Sequence, residues 1–131
     1  VTSTSYVDIS GLSVSITPSS ASSKILIMCH PNGRTRKQTT DFRNFDLRIT
    51  RGGTEIFFGR LRDMTAALGS ASNHVANGNQ NLLYLDSPNT TSSTEYKIQA
   101  RIDNAAGTTQ YAFNTAAQGT TASLILMEIA G

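Results

Sequence analysis

The chain has 131 residues, eleven basic against nine acidic, and a charged fraction of only 15%. A net charge of +2 is too weak a field to mark a nucleic-acid binder or a polybasic membrane-surface protein. One cysteine rules out an intrachain disulfide, and no apolar run approaches the roughly 20 residues of a membrane-spanning helix.

A chain of this length predicts a single compact domain that buries about two-thirds of its unfolded surface. Abundant Ser and Thr, with turn residues at short intervals, favour many short strands over helices. Residues 1–5 are polar and, since the chain opens on Val1 rather than Met, read as the tail of an upstream stalk or linker. Residues 6–131 read as one β-sandwich head. Tyr6, Val7 and Ile9 predict a short strand stopped by Gly11. Leu12, Val14 and Ile16 then alternate with Ser13, Ser15 and Thr17, a half-buried strand ended by Pro18.

From Lys24 to His30 the run Ile25, Leu26, Ile27, Met28, Cys29 leaves no polar face. That predicts a central strand, or one whose first face meets the core and whose second meets a partner subunit. Cys29 alternates with Ile25 and Ile27, which makes it a buried thiol rather than a nucleophile. Gly33 to Asp41 carries Arg34, Arg36 and Lys37 and no apolar residue, the pattern of a solvated loop or of a site for an anionic ligand.

The stretch Phe45–Arg60 predicts a hairpin. Phe45, Leu47 and Ile49 alternate with Asp46, Arg48 and Thr50, and Gly52-Gly53 supplies the positive φ values of a two-residue turn. Arg51 then sits opposite Thr54, Ile49 opposite Ile56, Leu47 opposite Phe58, and Arg48 meets Phe57 on the face away from the core. Phe57 is thereby expected in a subunit interface or in a cation–π pair with Arg48. Residues 61–81 resist division into strands, apart from a short helix expected near Asp63–Leu68; long irregular loops are often functional.

Leu82–Leu85 resumes strand character, and Asp86 to Asn89 breaks it. Tyr96, Ile98, Ala100 and Ile102 alternate with Lys97, Gln99, Arg101 and Asp103, a second one-faced strand. Gly107 turns the chain into Tyr111–Phe113, and Ala122–Ile129 is nearly all apolar except Glu128. Eight or nine strands at this spacing predict an all-β fold, an antiparallel two-sheet sandwich or jelly roll.

Catalytic constellations are absent from the sequence. His30 and His74 are the only imidazoles, with no His-x-x-x-His or Cys-x-x-Cys spacing for zinc, no Gly-x-Ser-x-Gly elbow and no phosphate-cradling glycine loop. The nine carboxylates stand singly. Neither an enzyme nor a cofactor is expected. Asn89-Thr90-Thr91 fits the N-glycosylation triplet, a pattern that also arises by chance in a Thr-rich chain.

Three stretches resemble a group of bacteriophage and phage-derived virion proteins. They are Thr4-Ser5-Tyr6-Val7-Asp8-Ile9-Ser10-Gly11-Leu12-Ser13-Val14-Ser15-Ile16-Thr17-Pro18 with the following Lys24-Ile25-Leu26, then Leu85-Asp86-Ser87-Pro88 leading to Thr94-Glu95-Tyr96-Lys97-Ile98, and the closing Leu126-Met127-Glu128-Ile129. The likeness fades between about Pro31 and Asn81. It implies a jelly-roll head similar to the tumour-necrosis-factor and complement C1q domains, a homotrimer on the virion surface or at the tip of an extracellular fibre. Such heads attach to host-surface structures, commonly glycans or a protein receptor, and contact other virion or fibre proteins. Nucleic acid and membrane insertion are not expected. Two other roles stand beside the fibre tip: a capsid decoration protein that binds virion proteins, and a bacterial fibre-tip adhesin of the same fold.

The divergent segments 31–43 and 61–81 are the expected seat of receptor specificity, with Arg34, Arg36, Lys37, Arg62, Asp63, Asn73, His74 and Asn77 as candidate ligand-binding residues. Phe57, Leu26 and Met28 are the candidate subunit-interface residues.

Overall fold

The computed structural model describes residues 2–37, 44–62, 74–78, 81–103, 110–113 and 121–131; for 33–37, 61–62, 74–78 and 110–113 it describes the backbone alone. The described residues contain no helix and form ten strands. They are β1 (Val7–Ile16), β2 (Lys24–His30), β3 (Gly33–Lys37), β4 (Asn44–Arg51), β5 (Thr54–Arg62), β6 (His74–Gly78), β7 (Leu82–Asp86), β8 (Thr94–Ile102), β9 (Gln110–Phe113) and β10 (Ser123–Ile129). The expected helix near Asp63–Leu68 lies outside the described residues.

All pairings are antiparallel, and the chain forms a β-sandwich. One sheet has the order β1-β8-β4-β5; the facing sheet has the order β10-β2-β7. A third set, β6-β3-β9, repeats the second sheet's neighbours one strand further along the chain, since β3 follows β2, β6 precedes β7 and β9 precedes β10. Except at the β4–β5 hairpin, the chain changes sheet at each long connection, the connectivity of a jelly roll. Alternate residues supply the core. Ile25, Ile27 and Cys29 of β2 face Phe45, Leu47 and Ile49 of β4 and Tyr96, Ile98 and Ala100 of β8, all fully or nearly fully buried. Burial pushes the Cys29 thiol up to about 12, which keeps it protonated and inert.

Three expectations need correction. First, Gly11 does not stop a strand. It takes a φ of 81° inside β1, where the register against β8 shifts between Asp8 and Ser13, so that the bulged segment turns both Ile9 and Leu12 into the core.

Second, the hairpin turn forms as read, with Gly52 at φ 54°, Gly53 at 87° and Arg51 opposite Thr54, but its register slips one step later. Thr50 pairs with Glu55 and Ile49 with Phe57, leaving Ile56 as the extra residue of a bulge; Arg48 meets Phe58 and Leu47 meets Gly59. The bulge lets two of three consecutive apolar residues, Ile56 and Phe57, pack against the core. Phe57 therefore does not face away from it. Its ring lies 5.4 Å from that of Tyr84, and Phe58 is the aromatic that faces solvent, 45% exposed beside the Arg60 guanidinium.

Third, residues 33–37 and 74–78 are not loop. They are strands β3 and β6, paired along their whole lengths, although neither shows the apolar alternation of a half-buried strand.

Candidate functional site

The outer face of the β10-β2-β7 sheet is where the molecule leaves apolar surface in water. Strand register aligns it in rows. Met28 lies between Leu83 and Ile125, Leu26 lies between Leu85 and Met127, and Lys24 lies beside Ile129. Of the seven large apolar side chains that are exposed among the described residues, five sit here: Leu83, Leu85, Ile125, Met127 and Ile129. The sixth and seventh, Val7 and Phe58, belong to the other sheet. A contiguous apolar face of this kind is unusual on a lone soluble domain and marks an interaction surface. Its cause is local: β2 and β10 are apolar at nearly every position, so once Ile25, Ile27, Leu124 and Leu126 fill the core, their neighbours must face out.

At one end the apolar rows give way to a polar one. His30 lies opposite Ser123, and its Nδ1 is hydrogen-bonded to Asn81 Oδ1. Beside it a hollow of about 330 Å³ is lined by Met28, Leu83, Ile125, His30, Asn81 and Ser123.

The outer face of the β1-β8-β4-β5 sheet is polar and laced with ion pairs. Asp46 at its centre is fully buried beneath two arginines. Arg60 donates from Nε and Nη2 to the two carboxylate oxygens at 2.7 and 3.0 Å, and Arg101 donates from Nε at 3.0 Å. Burial alone would push the Asp46 carboxyl up, but the hydrogen bonds and charges of Arg60 and Arg101 together outweigh it and hold it below the usual carboxylate range. Arg48 bonds Gln99 and Glu55, and its guanidinium lies 4.0 Å over the Tyr6 ring, which Arg101 approaches at 4.7 Å. The cation–π partner of Arg48 is thus Tyr6 and not Phe57. A second buried carboxylate, Asp86, ties the sheets together: Arg51 donates to both its oxygens at 3.0 and 2.9 Å, and the Tyr96 hydroxyl donates at 2.7 Å. Burial, reinforced by the bond to Asp86, pushes the Tyr96 phenol well up. Both carboxylates serve as acceptors for fixed donors, a structural use of charge. Among the described residues no group of three or more His, Cys, Asp or Glu side chains comes together to hold a metal.

The candidate binding residues divide by place. The β3–β6 ladder sets Arg34 opposite Asn77 and Lys37 opposite His74, with Arg36 between them in the row of Val75, so five of the eight candidates share one ribbon. Arg62 closes β5 opposite Asn44, in the other sheet. Asp63 and Asn73 lie outside the described residues. Of the candidate interface residues, Leu26 and Met28 are half-buried in the middle of the apolar rows, whereas Phe57 turns inward. The exposed members of those rows, Leu83, Leu85, Ile125 and Met127, were not singled out by sequence, although both strands read as apolar runs.

Fold and surface together define an antiparallel β-sandwich whose second sheet carries an apolar outer face. Compared with known proteins, the chain matches no family model and no curated protein.

Proposed function

We propose that this chain is a self-assembling head domain: copies join through the outer face of the β10-β2-β7 sheet into a homotrimer that forms the tip of a virion tail or adhesive fibre and attaches to a host-cell surface. The single observation that carries the assembly is the row structure of that face, with Leu83 65% exposed and Ile125 52% exposed in a free copy. Covering a half-exposed aliphatic side chain contributes roughly 1 kcal/mol, so five on each copy supply an association energy on the scale of the freedom lost. A second copy is the occupant that the face fits, because the face holds no carboxylate and only Lys24 as a fixed charge among the described residues, and apolar surface is best matched by its like. The virion and fibre role rests on the resemblance of the β1, β2, β8 and β10 stretches to phage virion proteins. The receptor, a glycan or a surface protein, would meet the β6-β3-β9 ribbon, where Arg34, Arg36, Lys37, His74 and Asn77 gather.

Light scattering coupled to size exclusion tests the assembly directly. The expected mass of the native chain is about three copies, and Leu83→Asp should reduce it to one. A native mass of one copy at micromolar concentration would overturn the proposal. Cell-binding assays on Arg34→Ala/Arg36→Ala, expected to lose attachment with unchanged mass, test the receptor surface.

A further inference from the structure

We propose that His30 makes this assembly acid-labile, an inference that rests on the β10-β2-β7 face being the contact between copies. His30 occupies the central strand of that face, in line with Met28 and Leu26, and with Lys24 it is one of two ionisable groups among the face's described residues. The two stand at opposite ends of β2, six residues and about 20 Å apart. A second copy laid over the apolar rows would roof the hollow of about 330 Å³ into which the histidine and its neighbours open.

In that enclosed position burial favours the neutral imidazole over the imidazolium. The amide oxygen of Asn81 can only accept, so Nδ1 carries the proton and Nε2 is left as the bare acceptor of the neutral ring. Protonation would place a charge beside Met28, Leu83 and Ile125 with no countercharge among the described residues of the face. On β10 the facing residue is Ser123; before β7 it is Asn81; on β2 the neighbours are Met28 and Cys29. The carboxylates of the same strands are engaged elsewhere: Asp86 with Arg51 and Tyr96, Glu128 with Ser19. Beyond His30 the chain carries Arg34, Arg36 and Lys37, all of the same sign as the added proton.

Linkage fixes the sign. A histidine charged in free copies in acid and kept neutral in the assembly leaves the assembly intact at neutral pH and opposes it as the pH falls. Each copy then weakens association by up to about tenfold per pH unit, so a trimer loses up to about a thousandfold.

The test is a dilution series followed by light scattering at about pH 7.5 and about pH 5, on the native chain, on His30→Gln and on Asn81→Asp. Assembly at the higher pH and dissociation at the lower is expected for the native chain. His30→Gln, which cannot take up the proton, should stay assembled at both, and Asn81→Asp, which sets a carboxylate beside the ring, should shift the loss to lower pH. A native assembly equally tight at both values would overturn the inference, as would His30→Gln dissociating in acid alongside the native chain. A native chain already monomeric at the higher pH would instead sink the assembly reading itself, and this inference with it.

Discussion

The bulge at Ile56 decides which of two adjacent phenylalanines holds the sandwich together, and a pair of single substitutions reads the answer. In the observed register Phe57 shares a face with Ile49, packs against the core and touches Tyr84, whereas Phe58 lies outside next to Arg60. Truncating a fully buried Phe to Ala costs about 3–5 kcal/mol; Phe57 is only partly buried, so about 2 kcal/mol is expected, including roughly 0.5–1 for the lost ring contact. Phe58→Ala gives up a half-exposed ring and one guanidinium contact, for about 0.5 kcal/mol. With a urea slope of roughly 2 kcal/mol per molar, Phe57→Ala should lower the unfolding midpoint by about 1 M and Phe58→Ala by a few tenths at most. The unbulged hairpin gives the opposite order, with Phe58 facing the core opposite Leu47. A larger loss for Phe58→Ala than for Phe57→Ala, measured on a monomeric background such as Leu83→Asp, would refute the bulge.

Other consequences are as direct. Because Asp46 keeps its charge to lower pH folded than unfolded, its contribution is complete above the ordinary carboxylate value near 4 and is lost as pH falls through the depressed folded value; Asp46→Asn should remove that share of the acid-unfolding limb and lower stability at neutral pH by about 2 kcal/mol, seen by urea titration at several pH values. Tyr96→Phe deletes the buried donor to Asp86 while leaving Arg51 in place, and is expected to cost about 1.5 kcal/mol; an unchanged midpoint would mean that the hydroxyl contributes nothing to joining the sheets. Gly53→Ala meets no atom within 4 Å, so its expected loss of about 1 kcal/mol is purely the strain of a φ of 87°, and Gly52→Ala at 54° should cost a similar amount.

What the sequence conveyed depended on whether a strand buries one face. β4, β8 and the second half of β1 alternate cleanly because one side of each meets the core, and Gly52-Gly53 marks its turn because few other residues tolerate that backbone. The run Ile56-Phe57-Phe58 has no period, so nothing local says which residue is skipped; only the competition for core space across to Tyr84 does. β3 and β6 were invisible because Arg34, Thr35, Arg36 and Lys37 carry no apolar alternation, and the strand state of β3 comes from ladder partners 37 to 80 residues away in sequence, such as Val75 for Arg36 and Ala112 for Arg34. Two of the seven large apolar residues of the apolar face were legible, Leu26 and Met28, in a strand without a polar side. The rest required knowing that β7 and β10 flank β2, which no local pattern contains. Asp46 read as an ordinary solvent-facing residue of an alternating strand, since the two arginines that bury it come from 14 and 55 positions along the chain.

The same carboxylate bears on how β4 finds its alignment. Sliding β8 past β4 by two residues keeps every side chain on its proper face and trades one aliphatic contact for another, as when Ala100 opposite Leu47 gives way to Ile98 or Ile102, so burial alone distinguishes such alignments poorly. Asp46 removes the ambiguity. Only in the observed alignment does it lie between Arg60 on one neighbour and Arg101 on the other, and a two-residue slide of β8 would bring Gln99 or Asp103 to that row instead of Arg101. A fixed negative charge in the middle sheet row thus acts as an address label read by both flanking strands, and its effect should appear as fewer misaligned species during refolding rather than in the final stability alone.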